Sequence, residues 1–331
     1  MARARVPVAA WTWRLPAPAL AVVVLAGCGG EPVRAPSATA PPARDAELPA
    51  LCGRLRAAVT GRVAAAAATE LSGLVLSRTQ PRVLWTHNDS GDRARVLAVT
   101  NTGRLLAEIA VTGAENVDWE DIAIGAATTG SAGGARGGDA LYVADIGDNL
   151  AQRRKVAVYR VSEPRVRRGG PRASAPAARL ALRYPDGAHD AEALLVDPSS
   201  GALVVVTKSF GGDAGVYVAA RPTAGTTTVL RRRGRLSLGS GQAVTAGDVS
   251  ADGRTIVLRT YDRALVWTRR AREPLAAALR RRPCAAREDL LVEGQGEALA
   301  LTGDGRAFYT VPEGSRPALR RHAPAARVGA P

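Results

Sequence analysis

From about Gly61 onward, short apolar runs rich in β-branched residues alternate with clusters of Gly, Asp, Pro and Ser, and no stretch sustains the spacing of an amphipathic helix. Runs such as Leu203-Val204-Val205-Val206 and Ile256-Val257-Leu258 follow turn sequences such as Asp197-Pro198-Ser199-Ser200-Gly201 and Ala251-Asp252-Gly253. The pattern predicts an all-β fold. It also repeats. An acidic residue stands just before a short apolar run at Glu70, Glu120, Glu192, Asp248 and Glu297, with a turn, a second apolar strand and a third strand after it. The second strands are Val83-Leu84-Trp85, Leu141-Tyr142-Val143, the two runs just quoted, and Ala307-Phe308-Tyr309.

Repeats about 50 to 70 residues long predict the blades of a β-propeller. Five four-stranded blades fit the length, and six fit if the long second interval holds a degenerate one. The last unit runs out near Arg320-Arg321-His322 before a fourth strand, whereas residues 61–69 offer a spare strand ahead of the first repeat. That N-terminal strand would close the ring and remove an open sheet edge. Residues 126–138 and 163–178 read as solvated insertions, and His322 as part of a solvated C-terminal tail.

The N-terminus is of a different kind. Arg3, Arg5 and Arg14 precede an apolar stretch from Leu15 to Gly27 that is too short to span a bilayer, and Leu25-Ala26-Gly27-Cys28 resembles a bacterial lipobox. The expected organisation is a lipoprotein signal peptide over 1–27 and a lipidated Cys28 with a Pro/Ala-rich tether over 28–50. A propeller over 51–322 and a disordered tail over 323–331 follow. The chain is thereby expected as a monomer at the extracytoplasmic face of the cell membrane, held by its lipid. Of the remaining cysteines, Cys52 and Cys284 would pair in an oxidising compartment, with two separately buried thiols as the alternative.

The 331-residue chain has 46% apolar and only 4% aromatic residues, enough for a large core. Its formal net charge is +15, and all its basic residues but Lys155 and Lys208 are Arg. Export argues against nucleic acid as a partner and leaves lipid headgroups or anionic envelope polymers as neighbours of a basic surface.

In a four-stranded blade, antiparallel pairing brings the start of the first strand and the end of the second to one face. The repeat acids would then meet around the axis together with the residues ending the second strands. The resulting set of candidate metal ligands is Glu70, Asp118, Glu120, Asp121, Asp145, Asp148, Asn149, Asp190, Glu192, Asp248 and Glu297. Candidate ligand contacts are His87, Asn88, Asp89, Lys208, Arg259, Tyr261 and Glu313. So many carboxylates repel one another unless protons, cationic side chains or a hard cation such as Ca²⁺ neutralise them. The competing expectation is that each acid caps its own strand and never meets the others.

The segments Asp118-Trp119-Glu120-Asp121-Ile122-Ala123, Asp145-Ile146-Gly147-Asp148-Asn149, Tyr184-Pro185-Asp186-Gly187 with Asp190-Ala191-Glu192-Ala193, and Gln295-Gly296-Glu297-Ala298 resemble those of exported bacterial β-propeller proteins. More distantly the arrangement is similar to phytase-like and esterase-like propellers, and that resemblance implies carboxylates holding Ca²⁺ around a phosphate ester. Three functions stay open on the sequence. One is ligand or partner binding at an acidic mouth that holds Ca²⁺. A second is Ca²⁺-dependent ester hydrolysis, with Ca²⁺ bridging Glu120, Asp145, Glu192 and Glu297 and with Lys208 and Arg259 clamping the anion. The third is an envelope scaffold acting through the basic outer surface.

Overall fold

The structure is a computed structural model that describes residues 49–127, 138–166, 173–286 and 290–325. The expected signal peptide, Cys28, the tether up to residue 48 and the chain end from residue 326 lie outside the described residues. No described helix is long and apolar enough to cross a membrane.

The described chain is all-β. After β1 (Leu55–Arg62) come β2 (Leu71–Leu76), β3 (Val83–Asn88), β4 (Arg95–Thr100) and β5 (Leu105–Thr112), each antiparallel to the one before from β3 on. The meander β6 (Trp119–Ala126), β7 (Asp139–Asp145), β8 (Lys155–Ser162) and β9 (Ala173–Arg183) repeats the arrangement. So does β10 (Ala191–Val196), β11 (Leu203–Thr207) and β12 (Asp213–Ala219), which a short β13 (Thr227–Val229) separates from its outer strand β14 (Arg231–Ser237). Next come β15 (Val244–Val249), β16 (Thr255–Thr260) and β17 (Ala264–Thr268), then a single helical turn α1 (Leu275–Ala278) and a two-residue β18 (Cys284–Ala285) paired to β17. Finally β19 (Ala298–Leu301), β20 (Phe308–Val311) and β21 (Ala318–Pro324) form a sheet whose fourth strand is β1.

The first strands of these units stand side by side: β2 against β6, β6 against β10, β10 against β15, β15 against β19, and β19 back against β2. Neighbouring units share apolar clusters. Trp85, Val96 and Ile109 meet Ile122, Leu141 and Tyr159, while Leu195 and Val206 meet Val244, Ile256 and Trp267. Both Trp85 and Trp119 are fully buried, as expected of residues that fill the space between sheets.

Several boundaries differ from the sequence pattern. The strand paired with β21 is Leu55–Arg62, not residues 61–69, whose Val63, Ala65 and Ala68 instead join a core cluster with Leu71, Leu84 and Leu319. Only Leu55 of β1 is buried, so this outer strand carries no apolar alternation to announce it. For the same reason β9, an outer strand begun at Ala173, was hidden in the Arg/Pro-rich segment read as a loop. His322 is no tail residue: it is buried on β21, with its ring stacked on Phe308 at 4.7 Å between centroids.

Cys52 and Cys284 form a disulfide across a sequence separation of 232 residues. It ties the chain just ahead of β1 to β18, and so joins the sheet containing β1 to the one before it in the ring. Closing so long a loop constrains the unfolded chain strongly. The double replacement Cys52→Ser/Cys284→Ser is expected to lose about 2–4 kcal/mol of unfolding free energy, read from urea melts of the oxidised proteins. An unchanged midpoint would show that the bond is ornamental.

Candidate functional site

Four of the first strands carry an extra residue near their start, where the pairing register slips by one: Gly73 in β2, Glu120 in β6, Glu192 in β10 and Thr245 in β15. A bulge breaks the strict alternation of side chains and re-aims the extra residue. Glu120 and Glu192 are thereby brought together, joined by Glu297 just ahead of β19. Glu70 and Asp248 sit three residues before and after the bulge positions of their own strands, so they do not take up the equivalent place. Glu70 is exposed.

Three overlapping groups of carboxylates result. One oxygen from each of Asp89, Asp118 and Glu120 lies within 4.8 Å of the others, as it does in the groups Asp89, Glu297, Glu313 and Glu120, Asp190, Glu192. Lys208 forms a close ion pair with Glu192 Oε1 and stands 3.8 Å from Glu297, which also accepts the Tyr261 hydroxyl at 2.7 Å. Gly147 makes room for the cluster, since a Cβ there would lie 2.6 Å from Asp118 Oδ2 and would collide with Glu120 Oε1. The second oxygen of Glu192 is buried and has no hydrogen-bond partner, a costly condition for a polar atom.

The electrostatics follow from crowding. Burial, reinforced by the Asp118, Glu297 and Glu70 carboxylates, pushes Asp89 up to about 6. Burial and the neighbouring Glu297 take Glu313 to about 8. Burial also raises Glu120 and Glu192 well above the ordinary carboxylate range, with Glu192 and Glu297 as the leading like-charge neighbours of each in turn. Although burial alone would lower Lys208, Glu192 beside it holds the ammonium above its usual value.

The other expected site residues have different duties. Asp121 is fully buried and accepts backbone N–H groups from Ile122 and Leu194, each at 2.8 Å, and from Gly247 at 3.3 Å. Asp248 accepts from Val249 at 2.7 Å and Leu301 at 2.8 Å. Both carboxylates tie first strands together and stand apart from the acidic groups. His87 is buried edge-on to Trp119, and burial lowers its pKa to about 4, which keeps it a neutral core residue. Asn88 is occupied in holding the loop from Ala67 to Glu70 and Asp92. Asp145 pairs with Arg153 at 2.7 Å, Asp148 accepts the Arg153 backbone N–H, and Asn149 is exposed.

Arg259 overturns its expected role as an anion clamp. It is fully buried, ion-paired with Glu293 at 2.8 Å, and donates to the Ala298 carbonyl at 3.1 Å. Nothing in the repeat pattern pointed to Glu293 or Arg153. For Gly147, its place between Asp145 and Asp148 was the available signal.

No protein-family model and no curated protein matches the chain. Among solved structures it is similar to the PQQ-bound aldose sugar dehydrogenase of Streptomyces coelicolor, at 11% identity and a TM-score of 0.46, over 82% of this chain and 98% of that one. A gluconolactonase of Xanthomonas campestris matches at 12% identity and a TM-score of 0.43, over 81% and 89%.

The raised carboxylates set a pH dependence. A folded-state pKa above the unfolded value means that the native state binds more protons, so stability falls as pH rises toward the folded value. His87 works in the opposite sense, destabilising the fold as pH drops through the window from 6.5 to about 4. Without added cations the raised carboxylates outnumber this one histidine, so stability is expected to fall from pH 5 to pH 8, where the native Asp89, at about 6, Asp248, at about 7, and Glu313, at about 8, hold protons that the unfolded chain has already released. Thermal melts in EDTA across pH 5–8 check this, and a steady rise up to pH 8 would contradict it.

Proposed function

We propose that the acidic mouth binds a hard divalent cation, Ca²⁺ first among them, and through it an oxyanion-bearing ligand. The reading takes the ring of first strands as the axis of a five-bladed β-propeller with β1 as its closing strand. The observation that carries it is the buried, unpartnered Glu192 Oε2 in a group whose members Glu120 and Asp190 each offer an oxygen within 4.8 Å. Carboxylate oxygens suit Ca²⁺, which tolerates irregular, oxygen-rich shells. Glu120, Asp190 and Glu192 would hold the ion, with Asp89 and Asp118 beside them. Lys208 engages only the other oxygen of Glu192. A cation would displace the protons that the crowded carboxylates otherwise retain.

Calorimetry should show Ca²⁺ binding that releases protons and tightens from pH 5.5 to 8, with a matching rise in melting temperature. Glu192→Gln and Gly147→Ala should each weaken it at least tenfold, the first by removing a ligand charge and the second by displacing Glu120 and Asp118. Absence of binding at millimolar Ca²⁺ would end this reading. Ester hydrolysis keeps the same acids but loses Arg259 as its clamp, and is not favoured.

Cys28 is proposed as the acylated residue of an exported, membrane-held lipoprotein, on the strength of the lipobox resemblance and the charged and apolar segments ahead of it. Radiolabelled palmitate should enter the protein in cells and fail to do so in Cys28→Ser. Equal labelling of both would remove the anchor.

A further inference from the structure

A cleft of about 380 Å³ opens beside the mouth and shares Asp190 and Lys208 with it. We propose that this cleft binds the body of the ligand, and that the body is a hydroxyl-rich molecule bearing an oxyanion, a phosphate or a carboxylate. The proposal rests on the cation reading for the ligand's other end. Three cationic side chains line the cleft: Lys208, Arg232 and Arg235. The two guanidiniums are only loosely engaged, Arg232 at 3.7 Å from Asp186 and Arg235 at 3.2 Å from Asp213, with their side chains 53% and 58% exposed. Exposed pairs of this kind contribute little, so both guanidiniums can turn to an incoming oxyanion, which they match with forked N–H donors.

The remaining wall is polar. Thr207 Oγ1 accepts the Gly215 N–H at 2.7 Å, which leaves its own proton to donate. His189 Nε2 lies 2.9 Å from the Tyr217 hydroxyl, and both groups contact Asp186. An apolar ligand would leave the Thr207 hydroxyl proton without an acceptor and desolvate the guanidiniums, and a neutral sugar would make no use of their charge. The volume, near the small end of ligand pockets, suits a compact molecule.

The test is calorimetry on the full chain, with glucose 6-phosphate and gluconate as probes and with glucose and inorganic phosphate as controls. Each is run with Ca²⁺ and in EDTA, on the wild type and on Arg232→Ala/Arg235→Ala. At least one anionic probe should bind the Ca²⁺-loaded protein at least tenfold more tightly than either control and lose at least tenfold in the double variant. Which probe binds distinguishes phosphate from carboxylate. Failure of both probes, equal binding of inorganic phosphate, or an unchanged affinity in the double variant would overturn the proposal. The Ca²⁺ titration reports separately on the mouth: if Ca²⁺ fails to bind yet a probe binds in EDTA and is lost in the double variant, the cation reading falls and the cleft stands.

Discussion

The edge of each first strand that faces the axis has no ladder to continue, and its backbone groups must be satisfied by something other than a neighbouring strand. Side chains meet this need. Asp121 alone reaches across three strands, accepting from its own β6, from Leu194 on β10 and from Gly247 on β15. Asp248 carries the tie from β15 to Leu301 on β19, the Gly73 N–H of β2 donates to the Glu297 carbonyl, and Ser72 Oγ returns from β2 to the Glu120 carbonyl at 2.6 Å. The circuit of cross-ties is closed. It explains why two buried carboxylates with strongly raised proton affinity are kept: each holds strand edges together with both its oxygens, and a metal ligand could not do that at the same time.

The same ring makes the mouth one-sided. Where β6 and β10 carry Glu at the bulge, β2 has Gly73 and β15 has Thr245. Gly73 has φ +77° and is so tightly placed that a Cβ would lie 2.7 Å from His87 Nε2, so no acidic side chain could stand there. The carboxylates therefore form a crescent from Asp118 to Glu192 and Glu297, with Lys208 and Tyr261 at the end where the neighbouring cleft begins. A symmetric ring of acids would hold an ion on the axis. A crescent would leave one side of a bound ion open.

The sequence showed the strands that are apolar on both faces, because β3, β7, β11 and β16 are buried almost throughout and interrupt the turn residues clearly. It was silent on outer strands such as β1 and β14, whose exposed positions carry Arg and Ala with no period. Of the acidic repeat, Glu120, Glu192 and Glu297 come together, while Glu70 and Asp248 stand apart from them. A register slip of one residue inside a strand leaves no mark on the composition around it. Arg259 and Asp121 failed for a related reason: a charge inside an apolar strand looks the same whether it faces a ligand or a buried partner.

Arg259 nevertheless bears on the mouth, through the backbone. Burying an ion pair is expensive unless its remaining groups are satisfied, and here Thr310 and Arg259 both engage Glu293, whose pKa falls to about 2 despite burial through hydrogen bonds from His322 and Thr310 and the charge of Arg259. The other side of the guanidinium presses on Gly296, where any Cβ would collide with it, and donates to the Ala298 carbonyl. Thr245 donates to the Gly296 carbonyl at 3.0 Å, and the Gly73 N–H reaches that of Glu297 at 3.4 Å. Three successive carbonyls are thus held by donors from three different strands, with Glu297 in the middle. Glu297 is the one mouth acid at the start of a first strand that lacks a bulge to aim it, and this pinning takes the bulge's place. The buried Arg259 pair is retained for the position it imposes on Glu297, since an anion in the mouth would find its guanidinium already spent.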